Sequence, residues 1–138
     1  VMESTVARLT VVAPETKPDL VAKLIERESL NSTGLGNGIA VPHPREPESL
    51  LIQSPSIAAG FLKHPVDFNA LDGKPVMLLF VLLSPSVRTH LQLLSRLSYG
   101  LRDRAFVSFL QRTPKPDALL KKVADLEAQS ENTSRSSV

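Results

Sequence analysis

The chain of 138 residues is long enough to fold around one hydrophobic core without disulfide bonds or a structural metal. It contains no cysteine, which excludes disulfides, thiolate metal sites and thiol nucleophiles. Its 16 cationic and 14 anionic side chains leave a net charge of +2 without a long block of either sign, and it has one Tyr, five Phe and no Trp, so the composition argues against nucleic-acid binding.

Apolar spacing and turn-forming residues predict the elements in chain order. They are the end of a helix at 1–9, a helix at 18–28, a short strand at 39–41, a strand at 57–62, a buried strand at 76–83, and helices near 86–101, after Asp103 and at 116–128. This mixture predicts an α/β fold with a mixed β-sheet flanked by helices, a three-layer sandwich in a single domain. Residues 129–138 are polar and without periodicity, and we expect a disordered tail there.

The longest uninterrupted apolar run is Val76–Leu83, which is too short to span a bilayer. No basic start followed by an apolar stretch marks a secretory signal. The sequence therefore predicts a cytoplasmic protein without membrane insertion. The first residue is Val rather than Met, which indicates a fragment of a longer protein.

Of the three histidines, His43 has the most unusual surroundings. It lies between Pro42 and Pro44, just after a glycine-rich segment and a short strand. Proline restricts the backbone, so the imidazole is presented from a stiff segment. A neutral ring nitrogen is a competent nucleophile toward phosphorus near physiological pH. Phosphoryl transfer needs mainly positioning and neutralisation of the phosphoryl oxygens, so His43 is a candidate acceptor.

Groups that could neutralise a phosphoryl group lie nearby in the sequence. Arg27, near a helix end, could supply positive charge. His90 lies in the first turns of a helix directly after the buried strand, so it could close on His43 across the sheet edge. Backbone amides of the glycine-rich turn are the remaining candidates for a phosphate loop: Gly34, Gly36, Asn37 and Gly38.

Each candidate also has a purely structural interpretation. A histidine between prolines can be a turn residue, and the glycine cluster fits neither a Walker A nor a GxGxxG pattern. His90 can be a core histidine on an apolar stripe, and Arg27 a solvated helix end. His64 precedes Pro65 and is expected in a surface loop. No two histidines form a close pair such as HxH, so we expect no metal site, and we expect no cofactor.

A resemblance to a known family favours the functional interpretation. Residues 27–43 read Arg-Glu-Ser-Leu-Asn-Ser-Thr-Gly-Leu-Gly-Asn-Gly-Ile-Ala-Val-Pro-His, which resembles the signature of the fructose/mannitol-type enzyme IIA domain of the bacterial sugar phosphotransferase system. Residues 67–76 resemble the loop that leads into the buried strand of that family. Residues 90–94 resemble its H-L-x-x-L helix start. The resemblance covers roughly residues 15–127.

The resemblance implies a role for each candidate. His43 would accept a phosphoryl group from the histidine-containing phosphocarrier protein and pass it to a IIB component where one exists. His90 would assist by hydrogen bonding, and Arg27 would neutralise the phosphate. Residues 1–128 would be the family domain, with its N-terminal strand and helix truncated, and 129–138 the tail.

Two departures from the family pattern, and the content of the chain, bear on its role. Pro44 and Arg45 follow His43 where typical members have Gly or a small polar residue, and the chain begins inside the first helix of the family. Three functions stay open: a regulatory IIA domain of the nitrogen-regulatory type, a sugar-uptake IIA component, and a non-catalytic protein-binding module with the same fold. The atypical flank and the lack of a IIB or membrane IIC segment in these residues favour regulation.

The donor must present its own phosphohistidine to His43, so residues 36–46 and the start of the His90 helix are the expected docking surface. Such a transient interface should have an apolar centre and a polar rim. The last helix, at 116–128, is expected to lie outside it. The centre is expected to contain Leu35, Leu93 and Pro44, and the rim Arg45 and Arg88.

Overall fold

The computed structural model describes residues 2–9, 12–47 and 52–136, with side chains up to residue 126. Its helices are α1 (Met2–Ala7), α2 (Lys17–Leu30), α3 (Val87–Gly100), α4 (Arg104–Gln111) and α5 (Pro116–Ser136), with a 3₁₀ turn at Pro14–Thr16. Its strands are β1 (Gly34–Gly36), β2 (Ile39–Ala40), β3 (Ser56–Val66) and β4 (Val76–Leu83). The chain forms two compact units that divide within α3, between Arg96 and Leu97.

The sheet of the first unit is mixed, with strand order β1-β2-β4-β3. Strands β2 and β4 run parallel, with Ile39 opposite Leu78, and the other two pairings are antiparallel. The alignment continues beyond β2, where the Leu82 amide donates to the Pro42 carbonyl at 3.0 Å. Because parallel strands end at the same edge, the residues that follow β2 and β4 lie close together there. The predicted α/β class with a mixed sheet is confirmed.

Strand β4 forms the centre of the first unit because nearly all of its eight residues are buried. This agrees with its continuous apolar sequence, since a strand covered on both faces does not alternate. Helices α1 and α2 pack their apolar side chains against its later half. The resulting core cluster consists of Met2, Val6, Leu9, Val12, Leu20, Leu24, Val81 and Leu83.

Strands β1 and β2 form a hairpin whose turn residues are Asn37 and Gly38. Both have positive φ, 56° and 79°, as a type I′ hairpin turn requires. The loop before β4 packs on this hairpin. The carboxylate of Asp72 accepts from the amides of Asn37 at 2.9 Å and Lys74 at 3.0 Å, and these bonds lower the pKa of Asp72. The glycine-rich turn is therefore attached to the loop that leads into β4.

The second unit begins within α3 and continues with α4 and α5. Helix α4 follows Asp103 as predicted, and Asp103 caps it, because its carboxylate accepts from the amides of Ala105 at 2.8 Å and Phe106 at 3.3 Å. Among its side chains up to residue 126, the buried apolar ones are Phe106, Leu110 and Leu119. Leu120 is exposed, since it lies one position further round α5 from the buried Leu119.

Two predicted boundaries are wrong. Strand β3 extends to Val66, so His64 and Pro65 lie in an edge strand rather than a loop, although His64 is exposed as expected. Proline is tolerated there because an edge strand has amides that need no partner in the ladder. Helix α5 extends to Ser136, beyond the helix end expected at residue 128. Polar residues without Gly or Pro can continue a helix once it has begun.

Within the described residues, none of the helices combines the length and apolar character needed to cross a bilayer.

Candidate functional site

His43 lies at the sheet edge where β2 and β4 end. Its flanking residues Pro42 and Pro44 are both buried, while the imidazole is partly exposed. The Nδ1 atom lies 2.8 Å from the carbonyl oxygen of Val41. Since a carbonyl only accepts, Nδ1 carries the proton and donates. In the neutral ring, Nε2 therefore holds the free lone pair and is the nucleophilic nitrogen.

His90 reaches the same edge from the first turn of α3. The turn is capped by Ser86, whose hydroxyl oxygen accepts from the Thr89 amide at 3.2 Å. The imidazole of His90 is buried, with 8% of the residue exposed. The ring centroids of His43 and His90 are 4.7 Å apart, with an angle of 35° between planes. The predicted approach of the two histidines is confirmed.

Both imidazoles are held in the neutral form. Burial lowers the pKa of His43 below 6.5, and the positive charge of Arg27 lowers it further. The hydrogen bond to Val41 and the negative charge of Glu28 raise that pKa in part, without reversing the shift. Burial also lowers the pKa of His90, as does the charge of a protonated His43. The pair therefore presents two neutral rings at physiological pH.

The Nδ1 atom of His90 is buried and has no hydrogen-bond partner among the described residues. A buried polar atom without a partner has a free-energy cost, and such atoms are rare in folded proteins. A neutral imidazole has only one N–H group. Because no acceptor among the described residues is available to a proton on Nδ1, the proton is better placed on Nε2. The arrangement therefore favours Nε2 as the donor nitrogen of His90.

Arg27 comes from the last turn of α2 and is partly buried rather than fully solvated. Its guanidinium donates to the carbonyl oxygen of Asn31 at 2.8 Å, which satisfies an acceptor at the helix end. Its effect on the pKa of His43 places its charge within electrostatic range of the ring. The predicted cation therefore acts on the ring of His43.

Glu28 and Thr33 belong to the same group of residues, and sequence reasoning did not single them out. The carboxylate of Glu28 accepts two hydrogen bonds from Thr33, at 3.0 Å from the amide and 2.6 Å from the hydroxyl. The carbonyl of Thr33 accepts from the Val41 amide at 3.0 Å. A signal existed in the sequence, since both lie in the family-like segment that starts at Arg27, where a carboxylate precedes a small hydroxyl residue.

The glycine-rich turn lies at the other end of β2 from His43. The carbonyl of Gly38 accepts from the amides at the start of β4, whereas Pro42 is aligned with Leu82 near its end. Four strand residues correspond to about 13 Å. The amide of Asn37 is also already bonded to a carboxylate. Gly36, Asn37 and Gly38 are therefore not retained in the candidate phosphate site, which corrects the expected phosphate loop.

Gly34 has a packing role instead. It pairs with Ala40 in the hairpin, and a Cβ atom at this position would lie 2.8 Å from the Cβ of Ala70. Such a separation is too short for two carbon atoms that are not bonded to each other. The absence of a side chain therefore lets the loop before β4 close on β1.

The surface around the histidine pair differs in part from the expected docking surface. Leu35 is exposed, and Arg45 and Arg88 are exposed as expected for a rim. Pro44 is buried and Leu93 is half-buried, so neither offers the expected apolar area. The exposed apolar side chains at the start of α3 are instead those of Val87 and Leu91.

Comparison with known proteins agrees with this architecture. Residues 4–125 match the family model described as phosphoenolpyruvate-dependent sugar phosphotransferase system, EIIA 2. A nitrogen regulatory protein of Pseudomonas aeruginosa is 49% identical over 107 residues, which are 75% of this chain and 67% of that protein. The nitrogen regulatory protein of Escherichia coli K12 is 37% identical over 109 residues, 75% of this chain and 64% of that protein. The chain thus spans about two thirds of these relatives.

Solved structures give the same result. The nitrogen regulatory protein IIA-Ntr of Neisseria meningitidis has a TM-score of 0.62 at 35% identity, over 75% of this chain and 70% of that one. The mannitol IIA of Escherichia coli has a TM-score of 0.69 at 22% identity, over 88% of this chain and 85% of that one, which supports the fold alone. Since the family model covers most of the chain, the protein belongs to the EIIA type 2 family of the phosphoenolpyruvate-dependent sugar phosphotransferase system.

Proposed function

We propose that this chain is a phosphoryl carrier in a regulatory phosphotransferase relay, and that it carries the phosphoryl group on Nε2 of His43. The single observation that carries the proposal is the geometry of the two histidines. The Val41 carbonyl fixes the proton of His43 on Nδ1, and the ring of His90 lies 4.7 Å away, at the same edge. One phosphoryl group on Nε2 of His43 is within reach of both rings.

The transfer step requires little from the protein beyond position and charge. The lone pair of His43 Nε2 forms a bond to phosphorus while the bond from phosphorus to the donor's ring nitrogen breaks, and that electron pair stays on the donor ring. The product carries a positive charge on the His43 ring and negative charge on the phosphoryl oxygens. The bond from His43 Nδ1 to Val41 strengthens as the ring becomes cationic.

Two groups would stabilise the phosphoryl oxygens. His90 would donate one hydrogen bond from its Nε2, and Arg27 would supply a fixed positive charge. The lowered pKa values of both histidines keep the attacking ring neutral, so that the nucleophilic form predominates near neutral pH. The donor is proposed to be the histidine-containing phosphocarrier protein, and no cofactor is proposed.

A regulatory role is supported by the names of the relatives. The proteins of Pseudomonas aeruginosa and Escherichia coli that this chain resembles are both named nitrogen regulatory protein. A second candidate is a sugar-uptake component that passes the phosphoryl group to a IIB domain. It is supported by 37% identity over 99 residues to a fructose-specific EIIABC component of Bacillus subtilis, of which this chain covers 15%. The mannitol IIA chain in a solved complex with phosphorylated IIB from Escherichia coli has the same fold as this chain, with a TM-score of 0.70 at 22% identity.

The proposal is tested by incubating the chain with labelled phosphoenolpyruvate, enzyme I and the phosphocarrier. We expect one acid-labile, base-stable phosphate per chain, and none on His43→Gln. His64→Gln is the matched control, because His64 is exposed on β3 and should leave labelling unchanged. A labelled His43→Gln protein would contradict the assignment. Adding purified IIB domains then separates the two roles, because rapid loss of label to IIB favours uptake.

The docking surface is proposed to lie around Val87 and Leu91, with Arg45 and Arg88 at its rim. These exposed side chains replace Pro44 and Leu93 of the sequence-based expectation. Titration of the ¹⁵N-labelled chain with the phosphocarrier should shift amide signals at 41–45 and 86–92 and leave 116–126 unchanged. Dominant shifts on α5 would place the interface elsewhere.

A further inference from the structure

We propose that Glu28 and Thr33 are positioning residues that hold the imidazole of His43 in its nucleophilic tautomer. The inference rests on the proposed function, because it concerns which nitrogen of His43 is free to attack. It assigns a role to the carboxylate and hydroxyl that sequence reasoning did not single out. Neither side chain has to touch the phosphoryl group to act in this way.

A continuous hydrogen-bond path leads from α2 to the His43 ring. Glu28 receives the amide of Thr33 at 3.0 Å on one carboxylate oxygen and the hydroxyl at 2.6 Å on the other. The Thr33 carbonyl accepts from the Val41 amide at 3.0 Å. The Val41 carbonyl then accepts from His43 Nδ1 at 2.8 Å. Each peptide in the path is held on one side and holds its neighbour on the other.

The path fixes the orientation of the one carbonyl that selects the tautomer. Thr33 and Val41 are both buried, with 4% and 3% of each residue exposed, so their peptides have little freedom once these bonds are made. A carboxylate that accepts two bonds from a single residue is a charge-assisted clamp, stronger than a neutral pair. If the clamp is lost, the Val41 carbonyl is less well aimed, and the Nδ1–H form of His43 loses its advantage.

Glu28 also acts through its charge. Its carboxylate raises the pKa of His43, against the larger effect of burial and alongside the opposite effect of Arg27. The hydrogen bonds and the charge can be separated by substitution. Glu28→Gln removes the charge and keeps one acceptor and one donor toward Thr33, whereas Thr33→Val keeps the charge and removes the hydroxyl bond at nearly constant volume.

The experiment measures the tautomer of His43 in the unphosphorylated chain by ¹⁵N NMR of the ring nitrogens above the histidine pKa. Thr33→Val should lower the ratio of the Nδ1–H to the Nε2–H form about fivefold, the factor expected for one lost hydrogen bond, and Glu28→Ala should lower it further. Thr33→Ser, which keeps the hydroxyl, should have the tautomer ratio of the wild-type chain. Glu28→Gln should keep the ratio while the pKa of His43 falls. The control Glu26→Gln removes a charge from an exposed position of the same helix and should change neither.

Phosphotransfer kinetics give an independent readout. Loss of the correct tautomer should lower kcat in proportion to the Nδ1–H population, with the KM for the phosphocarrier unchanged. An unchanged tautomer ratio in folded Glu28→Ala, or in Thr33→Val if the former does not fold, overturns the positioning role. A wild-type chain that takes up no labelled phosphate contradicts the proposed function instead. The two outcomes are distinguishable because the tautomer is measured in the unphosphorylated chain.

Discussion

The role of His90 is open to a test in which activity and stability should respond differently. The substitutions are His90→Gln, His90→Asn and His90→Leu. A glutamine amide nitrogen lies near the position of imidazole Nε2, and an asparagine amide nitrogen lies near that of Nδ1. Because Nδ1 is the buried nitrogen without a partner among the described residues, the proposed donor is Nε2, and Gln should replace His better than Asn does.

The expected magnitude follows from one missing hydrogen bond to a charged group. Such a bond contributes about 1.5–3 kcal/mol, which corresponds to roughly 10- to 150-fold in rate. His90→Leu should therefore slow phosphoryl transfer by this factor. The free energy of unfolding should change by less than about 1 kcal/mol, because the substitution removes an unpartnered polar nitrogen from a residue that is only 8% exposed.

Transfer would be measured in single-turnover reactions with labelled phosphocarrier, and unfolding in urea. A loss of transfer without a loss of stability is the expected signature of His90→Leu. If stability and transfer fall together, His90 acts as a core histidine and the functional interpretation is wrong. Equal activity of the Asn and Gln variants would refute the assignment of Nε2 as donor.

Three further predictions concern charge, pH and packing. Arg27→Lys should slow transfer about tenfold with little change in stability, because an ammonium cannot replace the planar, bidentate guanidinium. Arg112→Lys, at an exposed position, is the control. Equal transfer rates for Arg27→Lys and the wild-type chain would show that Arg27 takes no part in transfer. Since both histidine pKa values are lowered from 6.5, the unfolded chain binds more protons just below that pH. Unfolding free energy and transfer rate should both fall as the pH decreases below 6.5, and the stability slope should flatten in a His43→Gln, His90→Gln double variant; an unchanged slope would contradict the pKa shifts. Gly34→Ala should lower the free energy of unfolding by about 1–3 kcal/mol, because its Cβ would meet Ala70 at 2.8 Å. Gly60→Ala is the control, since the nearest atom to its Cβ would be 3.6 Å away. Equal urea midpoints for the two variants would contradict this packing role.

Much of this architecture could be predicted from local patterns. The continuous apolar run of β4, the Ser86 and Asp103 caps and the helical spacing of α2 and α3 each specify their element without reference to the rest of the chain. The approach of His43 and His90 could also be predicted, because each follows a strand and the two strands are parallel.

The remaining features depend on contacts between segments distant in sequence. The sequence suggested that the Asn37-Gly38 turn could hold phosphate, but strand register places it at the far end of β2, bonded to Asp72. Burial of Pro44 and exposure of Leu91 depend on how neighbouring elements cover each face. The link from Glu28 to His43 passes through backbone carbonyls, which carry no signal in the sequence.

The central claim is that Nε2 of His43 carries the phosphoryl group. The most direct measurement is long-range ¹H–¹⁵N NMR of the chain after phosphorylation by phosphoenolpyruvate, enzyme I and phosphocarrier. We expect His43 Nε2 to bear the phosphorus while Nδ1 keeps its proton toward the Val41 carbonyl. Phosphorylation at Nδ1 of His43, or at His90 or His64, would contradict it.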